Sequence, residues 1–180
     1  MAEVTKIKRF PSQVTVNRDL VSEATRQGAV NAKVILTRAI TLGNWVRLHC
    51  QFGCPYYGKR FTCPTFTPTS EEMSGILLDY NKALVVEAAT AEGVHGLVLG
   101  LETYFRNLGP HTAFALEALP CNLCPVCTVE TYCEHPQEAR PTLQACGIDV
   151  PGTMLNIGWN AAARHEACTS QQKVGLVLID

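Results

Sequence analysis

The stretch "ALVVEA", residues 83–88, decides how the rest of the chain is organised. Its first four residues are apolar without a break, which is typical of a short buried strand. Segments with helical and with strand character lie on both sides of it. We therefore expect this strand to belong to a sheet that helices cover.

Three amphipathic helices are predicted from spacing and capping. Thr69 and Glu72 form a capping box before apolar residues at helical spacing, which are Met73, Ile76, Leu77 and Tyr80. A second helix ends at Gly109-Pro110 and has an apolar face of Leu97, Leu101, Tyr104, Phe105 and Leu108. A third is expected near the N-terminus, from Asn17 as N-cap to Gly28, with inward residues Leu20, Val21 and Ala24.

Further strands are predicted at "KVIL" (33–36), "WVRL" (45–48), "TAFAL" (112–116) and "VGLVLI" (174–179). Residues 50–68, rich in proline and aromatic residues, indicate an ordered loop, and a short helix near 141–146 is followed by another loop. Helices and strands do not alternate strictly. The pattern favours an α+β fold with a mixed sheet, flanking helices and cysteine-rich loops, with α/β as the alternative, and a single domain over residues 1–180.

The composition excludes several classes of function. The chain has 180 residues, 47% of them hydrophobic and 17% charged, with a net charge of −1. Its apolar runs are far shorter than the ~20 residues that span a bilayer, and it has no cluster of basic residues. We therefore expect no membrane and no nucleic-acid partner. No signal peptide precedes the first helix, which favours a cytoplasmic protein.

Nine cysteines are many for this length, and an odd number cannot all be paired. Disulfides are rare in a reducing compartment, where clustered thiols more often bind metal or perform redox chemistry. The densest group is "CNLCPVCTVETYC", residues 121–133, with the spacing C-x2-C-x2-C-x5-C. This spacing favours an iron–sulfur cubane, in which each iron binds one thiolate, over zinc, which usually takes two separated cysteine pairs. The expected ligands are Cys121, Cys124, Cys127 and Cys133.

A second group lies upstream, inside "CQFGCPYYGKRFTCP". Its cysteines, Cys50, Cys54 and Cys63, are expected to hold a second [4Fe-4S] cluster or to share the first one. Lys59 and Arg60 either offset the negative charge of a thiolate-bound cluster or are solvated loop charges. Packing of the three thiols within the loop is the structural alternative.

Seven cysteines do not fill two four-cysteine sites. Either one cluster keeps an iron without a protein ligand, or an eighth ligand comes from elsewhere in the chain. Cys133 alternatively serves the upstream group, and we expect the two groups to meet in space. His49 and His135 adjoin the groups and are expected to be structural or solvent-facing. Cys146 is expected in the core, and Cys168 as an ordinary thiol.

Several linked motifs resemble a family of "predicted metal-binding" proteins found mainly in anaerobic bacteria and archaea. The matching pieces are "CQFGCPYYGKRFTCPT", "CNLCPVCTVETYCEHP" and "ARPTLQACGIDV", which cover residues 46–150. Thr65, Thr142 and Gln144 depart from the family pattern, where Pro, Ser and Glu stand. The resemblance implies the seven cysteines named above as ligands and supplies no reaction.

Three functions are compatible with this sequence. The first is a cytoplasmic iron–sulfur protein of an anaerobe, with one or two [4Fe-4S] clusters, that exchanges electrons with a redox protein partner. The second is an enzyme in which a [4Fe-4S] cluster held by three cysteines leaves one iron free to act on a small molecule, with a pocket formed by Tyr56, Tyr57 and Phe61. The third is an interaction module that zinc stabilises.

Overall fold

A four-stranded antiparallel sheet forms the centre of the protein. The computed structural model describes residues 13–109, 112–159 and 173–179, and its strands are β1 (Asn31–Leu36), β2 (Lys82–Glu87), β3 (Phe114–Leu116) and β4 (Val174–Ile179). Their order is β1-β2-β4-β3, and every neighbouring pair is antiparallel. The α+β class is confirmed, and the antiparallel pairing excludes the α/β alternative. The sheet is antiparallel throughout where a mixed sheet was expected.

In the described part of the chain, five α-helices surround the sheet: α1 (Gln13–Arg26), α2 (Asn44–Gly53), α3 (Ser70–Leu78), α4 (Gly93–Leu108) and α5 (Val150–Asn156). Successive residues of β2 point to opposite faces. Leu84 and Val86 pack with α1 and α4, whereas Ala83 and Val85 pack with α3 and α5. Both faces of the inner strands are therefore covered, which explains why β2 and β4 are continuous apolar runs.

Most local predictions around the sheet are confirmed. Thr69 Oγ1 accepts a hydrogen bond from the Glu72 backbone N–H (3.2 Å), and Glu72 Oε2 accepts one from the Thr69 N–H (2.7 Å), so the capping box is present. The predicted apolar face of α4 is buried at Leu97, Leu101 and Phe105. The short helix near residue 144 is a single 3-10 turn, Gln144–Cys146.

The prediction of a strand at residues 45–48 is wrong, because these residues lie in α2. Val46 and Cys50, four residues apart, form the buried face of this helix, while Trp45 and Leu48 are exposed. Four residues are too few to distinguish the periodicity of a helix from the alternation of a strand. Burial of Val46 and Cys50 against the core selects the helix. Residues 50–53 of the predicted loop therefore belong to α2.

Two other boundaries differ from the sequence prediction. Helix α1 begins at Gln13, so Asn17 lies inside the helix and is not its N-cap. Its predicted end is close: the helix stops at Arg26, and Gly28 follows with φ +103°, a left-handed conformation that glycine adopts readily. Helix α5 lies in the segment that was predicted to be a loop.

Candidate metal centre

The downstream cysteines lie on an irregular segment whose two ends are held together. The Glu117 N–H, directly after β3, donates to the Pro141 carbonyl (2.9 Å), and the Leu143 N–H donates to the Glu117 carbonyl (3.0 Å). The structure has no helix or strand between Ala118 and Arg140. The backbone of this segment is therefore shaped by its end contacts and by the side chains around it.

A buried ion pair lies beneath the C-terminal end of this segment. Arg140 donates from Nε to Glu102 Oε2 (2.7 Å) and from Nη2 to Glu102 Oε1 (2.5 Å), and both residues are almost fully buried. Glu102 Oε2 also accepts from the Ala115 N–H of β3 (2.7 Å), and Arg106 Nη2 lies 2.9 Å from Oε1. The charges are thus paired and hydrogen-bonded, as burial requires. The pair connects the segment to α4 and β3.

The four downstream cysteines line one cavity, which is the main feature of the site. Side chains of both cysteine-bearing stretches surround it, and its lining consists of Arg60, Phe61, Thr62, Cys121, Leu123, Cys124, Cys127, Thr128, Cys133, Glu134, His135 and Ala139. Cys133 therefore lies with the downstream run. The upstream cysteines are not among the lining residues that the structure describes.

The loop before Cys63 forms one wall of this cavity. Arg60 Nη1 donates to the Cys121 carbonyl (2.5 Å), and the Cys121 N–H donates to Thr62 Oγ1 (3.3 Å). The two cysteine-bearing stretches therefore contact each other through this wall, whereas sharing of thiols between the groups stays a prediction. Arg60 lines the cavity, which fits the interpretation that it offsets the negative charge of a thiolate-bound centre. Lys59 is exposed, which fits the interpretation of a solvated loop charge.

The surroundings of Cys121 favour the neutral thiol over the thiolate. Burial is the main cause that raises the pKa of Cys121, and the negative charge of Glu117 adds to it. A hydrogen bond from the Leu123 backbone N–H and the positive charge of Arg60 act in the opposite direction. A bound metal cation would lower the pKa of Cys121, because it stabilises the thiolate directly.

Cys124 lies beside two potential ligands that are not cysteines. Its Sγ lies 3.9 Å from Glu134 Oε2, and ligand atoms of Cys124, Glu134 and His135 all lie within 4.8 Å of one another. Partial desolvation is the main cause that raises the pKa of Cys124, followed by the charges of Glu134, Cys127 and Cys133. His135 was expected to be structural or solvent-facing, and Glu134 was not among the predicted ligands. Their position directly after Cys133 was the available signal.

The upstream cysteines have a different setting. Cys50 is buried in α2, Cys54 follows the last residue of that helix, and Cys63 is buried in a turn, so the group begins in a helix and not in a loop that leaves a strand. Burial is the main cause that raises the pKa of Cys50. Arg47 fixes this helix by donating from Nη1 to the carbonyls of Pro68 (2.6 Å) and Ala145 (2.7 Å).

Cys146 and His49 are not among the residues that line the cavity. Cys146 is 1% exposed within the core, and burial raises its pKa to about 12. Cys168 lies outside the described residues. His49 is exposed, with its ring 5.5 Å from that of Trp45. Of the three aromatic residues predicted to form a substrate pocket, Phe61 lines the cavity and contacts Phe66 edge to face (5.3 Å between centroids), whereas Tyr56 and Tyr57 are not among the lining residues.

The fold and the site define a small α+β protein in which a cysteine-lined cavity, with a carboxylate and an imidazole at its edge, offers ligands for a soft metal. A family described as "Predicted metal-binding protein (DUF2284)" matches residues 33–179, and the chain belongs to this family. This match confirms the resemblance found in the sequence. No curated protein and no solved structure matches the chain. None of the helices that the structure describes is long and apolar enough to cross a membrane.

Proposed function

We propose that this chain is a cytoplasmic iron–sulfur protein of an anaerobic cell that exchanges electrons with a redox partner. The observation that carries the proposal is the convergence of Cys121, Cys124, Cys127 and Cys133 on one cavity. Four thiols at the spacing C-x2-C-x2-C-x5-C fit a [4Fe-4S] cluster, which when bound accepts and donates one electron. Cys50, Cys54 and Cys63 hold a second cluster or contribute to the first.

The spread of the thiols supports a cluster over a four-cysteine zinc site. Zinc–sulfur bonds of ~2.3 Å in a tetrahedron place the thiolates about 3.8 Å apart. Among the residues that the structure describes, no three thiols lie within 4.8 Å of one another. A cubane separates its ligands more widely, because each thiolate binds a different iron.

The exposure of the segment supports exchange of electrons with a protein partner. The four cysteines are partly exposed, and two neighbouring side chains, Val126 and Tyr132, are 80% and 71% exposed. A centre held here lies close to the surface, so a partner can approach it without a conformational change. Apolar side chains at the point of approach suit a transient contact of this kind.

A second candidate function is a zinc-stabilised interaction module. The observation that favours it is the compact group of Cys124, Glu134 and His135, whose ligand atoms are within 4.8 Å of one another. Zinc binds all three of these ligand types. In this case the metal stabilises the segment and performs no redox chemistry.

Metal analysis after anaerobic purification distinguishes the two functions. The iron–sulfur proposal expects a brown protein with iron and acid-labile sulfide in equal amounts, and an EPR signal that appears or disappears on reduction. Stoichiometric zinc without sulfide, persisting after anaerobic reconstitution with iron and sulfide, contradicts the cluster and supports the zinc module. Glu134→Gln and His135→Gln should then reduce zinc content, and should leave it unchanged if the cysteines alone bind the metal.

A further inference from the structure

A histidine and a buried carboxylate form a pair behind the cysteine-rich segment. His95, in the first turn of α4, has its Nδ1 3.0 Å from Oε2 of Glu117. The Glu117 side chain is only 5% exposed, whereas that of His95 is 32% exposed. This geometry leaves Nδ1 fixed by the carboxylate and keeps the imidazole in contact with solvent.

Glu117 differs from the other buried carboxylate of this region. Both oxygens of Glu102 are hydrogen-bonded to arginines, whereas Oε1 of Glu117 is buried and has no hydrogen-bond partner among the described residues. A buried carboxylate that is incompletely satisfied is costly for a fold to keep. Protonation of the neighbouring imidazole offsets this cost, because it places a positive charge 3.0 Å from Glu117.

The pair is close enough to the candidate metal centre to interact with it electrostatically. Glu117 is near enough to Cys121 that its charge raises the pKa of that thiol, after the larger effect of burial. The hydrogen bond to Glu117 is the main cause that raises the pKa of His95; the charges of Glu117 and Glu138 add to it, while burial and the charge of Arg140 oppose it. His95 and the site thus interact electrostatically with the same carboxylate.

We propose that His95 is the redox-linked proton acceptor of the cysteine-rich site, a role that rests on the proposed function. Cys121, Cys124, Cys127 and Cys133 would hold a centre that would accept one electron from a redox partner. With each electron, His95 would take up one proton from the solvent. The Nε2 lone pair forms the new N–H bond, and Glu117 stabilises the imidazolium through Nδ1. Electron and proton together leave the net charge unchanged, and reoxidation releases both.

The redox test measures the midpoint potential of the cluster-loaded chain between about pH 5.5 and 9. In the wild type the midpoint potential should fall as pH rises, by up to about 59 mV per pH unit. This limit holds for one proton per electron, because a tenfold change in proton concentration corresponds to about 59 mV for a one-electron couple. His95→Gln should flatten the profile, and Glu117→Gln should move its sloping part to lower pH. His49→Gln is the matched control, because His49 is exposed and is not among the groups that shift the pKa of His95, and should preserve the slope.

A flat wild-type profile, or a slope that survives in His95→Gln, overturns the proposal. A second measurement separates its failure from that of the proposed function: an NMR titration of the histidines in the metal-free chain, assigned with His95→Gln. A His95 pKa above the ordinary ~6.5 that falls in Glu117→Gln supports the pair. A His95 pKa at or below ~6.5 that Glu117→Gln leaves unchanged overturns the proposed role of His95. This measurement does not depend on whether the chain binds iron and sulfide, so it is independent of the proposed function.

Discussion

The two cysteine groups contrast in how the fold presents them. The upstream group starts inside α2, and two of its three thiols, Cys50 and Cys63, are 3% exposed. The downstream group lies on a segment without helix or strand, and its four partly exposed thiols face one cavity. Cysteines are thus mostly buried at one place and partly exposed at the edge of a cavity at the other.

This difference separates two requirements of a metal site. A buried thiol on a helix, such as Cys50, is fixed in position and shielded from solvent. Burial raises its pKa, as it also does for the downstream Cys121. Partly exposed thiols on an irregular segment can rearrange around a metal and admit it from solvent. We therefore expect the downstream group to bind metal first and to determine most of the metal content.

The largest expected effect is on metal content. Cys124→Ala should remove most iron and sulfide from the downstream site, because a cubane iron loses its thiolate. Cys54→Ala should preserve the downstream absorption and EPR spectra if the two groups are independent. Iron, sulfide and spectra are measured after anaerobic reconstitution. The matched control is Cys146→Ala, which removes a core thiol and should leave iron unchanged.

Loss of the downstream spectrum in Cys54→Ala would show instead that the groups share one centre. Loss of iron in Cys146→Ala would identify this thiol as a further ligand, which its proximity to Cys50 permits. Either result would remove the contrast between the two groups.

The next effect concerns the base of the downstream segment. Arg140→Leu should lower the free energy of unfolding by about 3–5 kcal/mol, because it leaves Glu102 as a buried charge without its main partner. Urea unfolding of the metal-free chain measures this change. Arg106→Leu is the control: its side chain is 39% exposed, and it should cost about 1 kcal/mol or less. Equal losses in the two variants would mean that the Arg140 pair has no special role.

A smaller loss is expected at the base of the upstream group. Arg47→Leu removes charge-assisted hydrogen bonds to the Pro68 and Ala145 carbonyls and should cost about 1.5–3 kcal/mol in the same unfolding experiment. Arg38→Leu, at a surface 3-10 turn, serves as control and should change stability little. A loss larger than that of Arg140→Leu would reverse the order of the two regions.

The smallest effect is a pH dependence of stability. The Glu117 hydrogen bond raises the pKa of His95 in the folded chain, so its stabilisation is complete below the unfolded value of about 6.5. It is lost as the pH rises through the folded value. The urea midpoint of the metal-free wild type should therefore decrease from about pH 6 to 8 more than that of His95→Gln. Parallel decreases in the two chains would contradict this prediction.

Sequence patterns predicted the parts of the fold whose signals are local. The apolar runs of β2 and β4 and the capping box of α3 are short-range features, and each is present. Helix α5 was missed because "VPGTMLN" contains proline and glycine. Both residues lie in its first turn, where the Pro151 ring is tolerated and the Gly152 N–H donates to the N-cap side chain of Asp149 (3.0 Å).

The candidate site was predictable in its cysteines and not in what supports them. The spacing of residues 121–133 is a property of one segment, so sequence alone could indicate a metal centre there. The pairs Glu102–Arg140 and His95–Glu117 join residues from separate elements. Each acidic or basic residue is unremarkable in its own segment. The packing of α4 against β3 joins His95 to Glu117, and the return of the cysteine-bearing segment to Glu117 places Arg140 beside Glu102.

The backbone pairing of Glu117 with Pro141 and Leu143 has a consequence for the entropy of metal binding. These contacts close the cysteine-bearing segment into a loop when the chain folds, and loop closure is the entropic cost that grows with the length of chain between contacts. A metal that bound the same cysteines in an open chain would have to offset that cost itself. In the folded chain it orders only the residues inside the loop, so more of the metal–thiolate binding free energy remains as affinity.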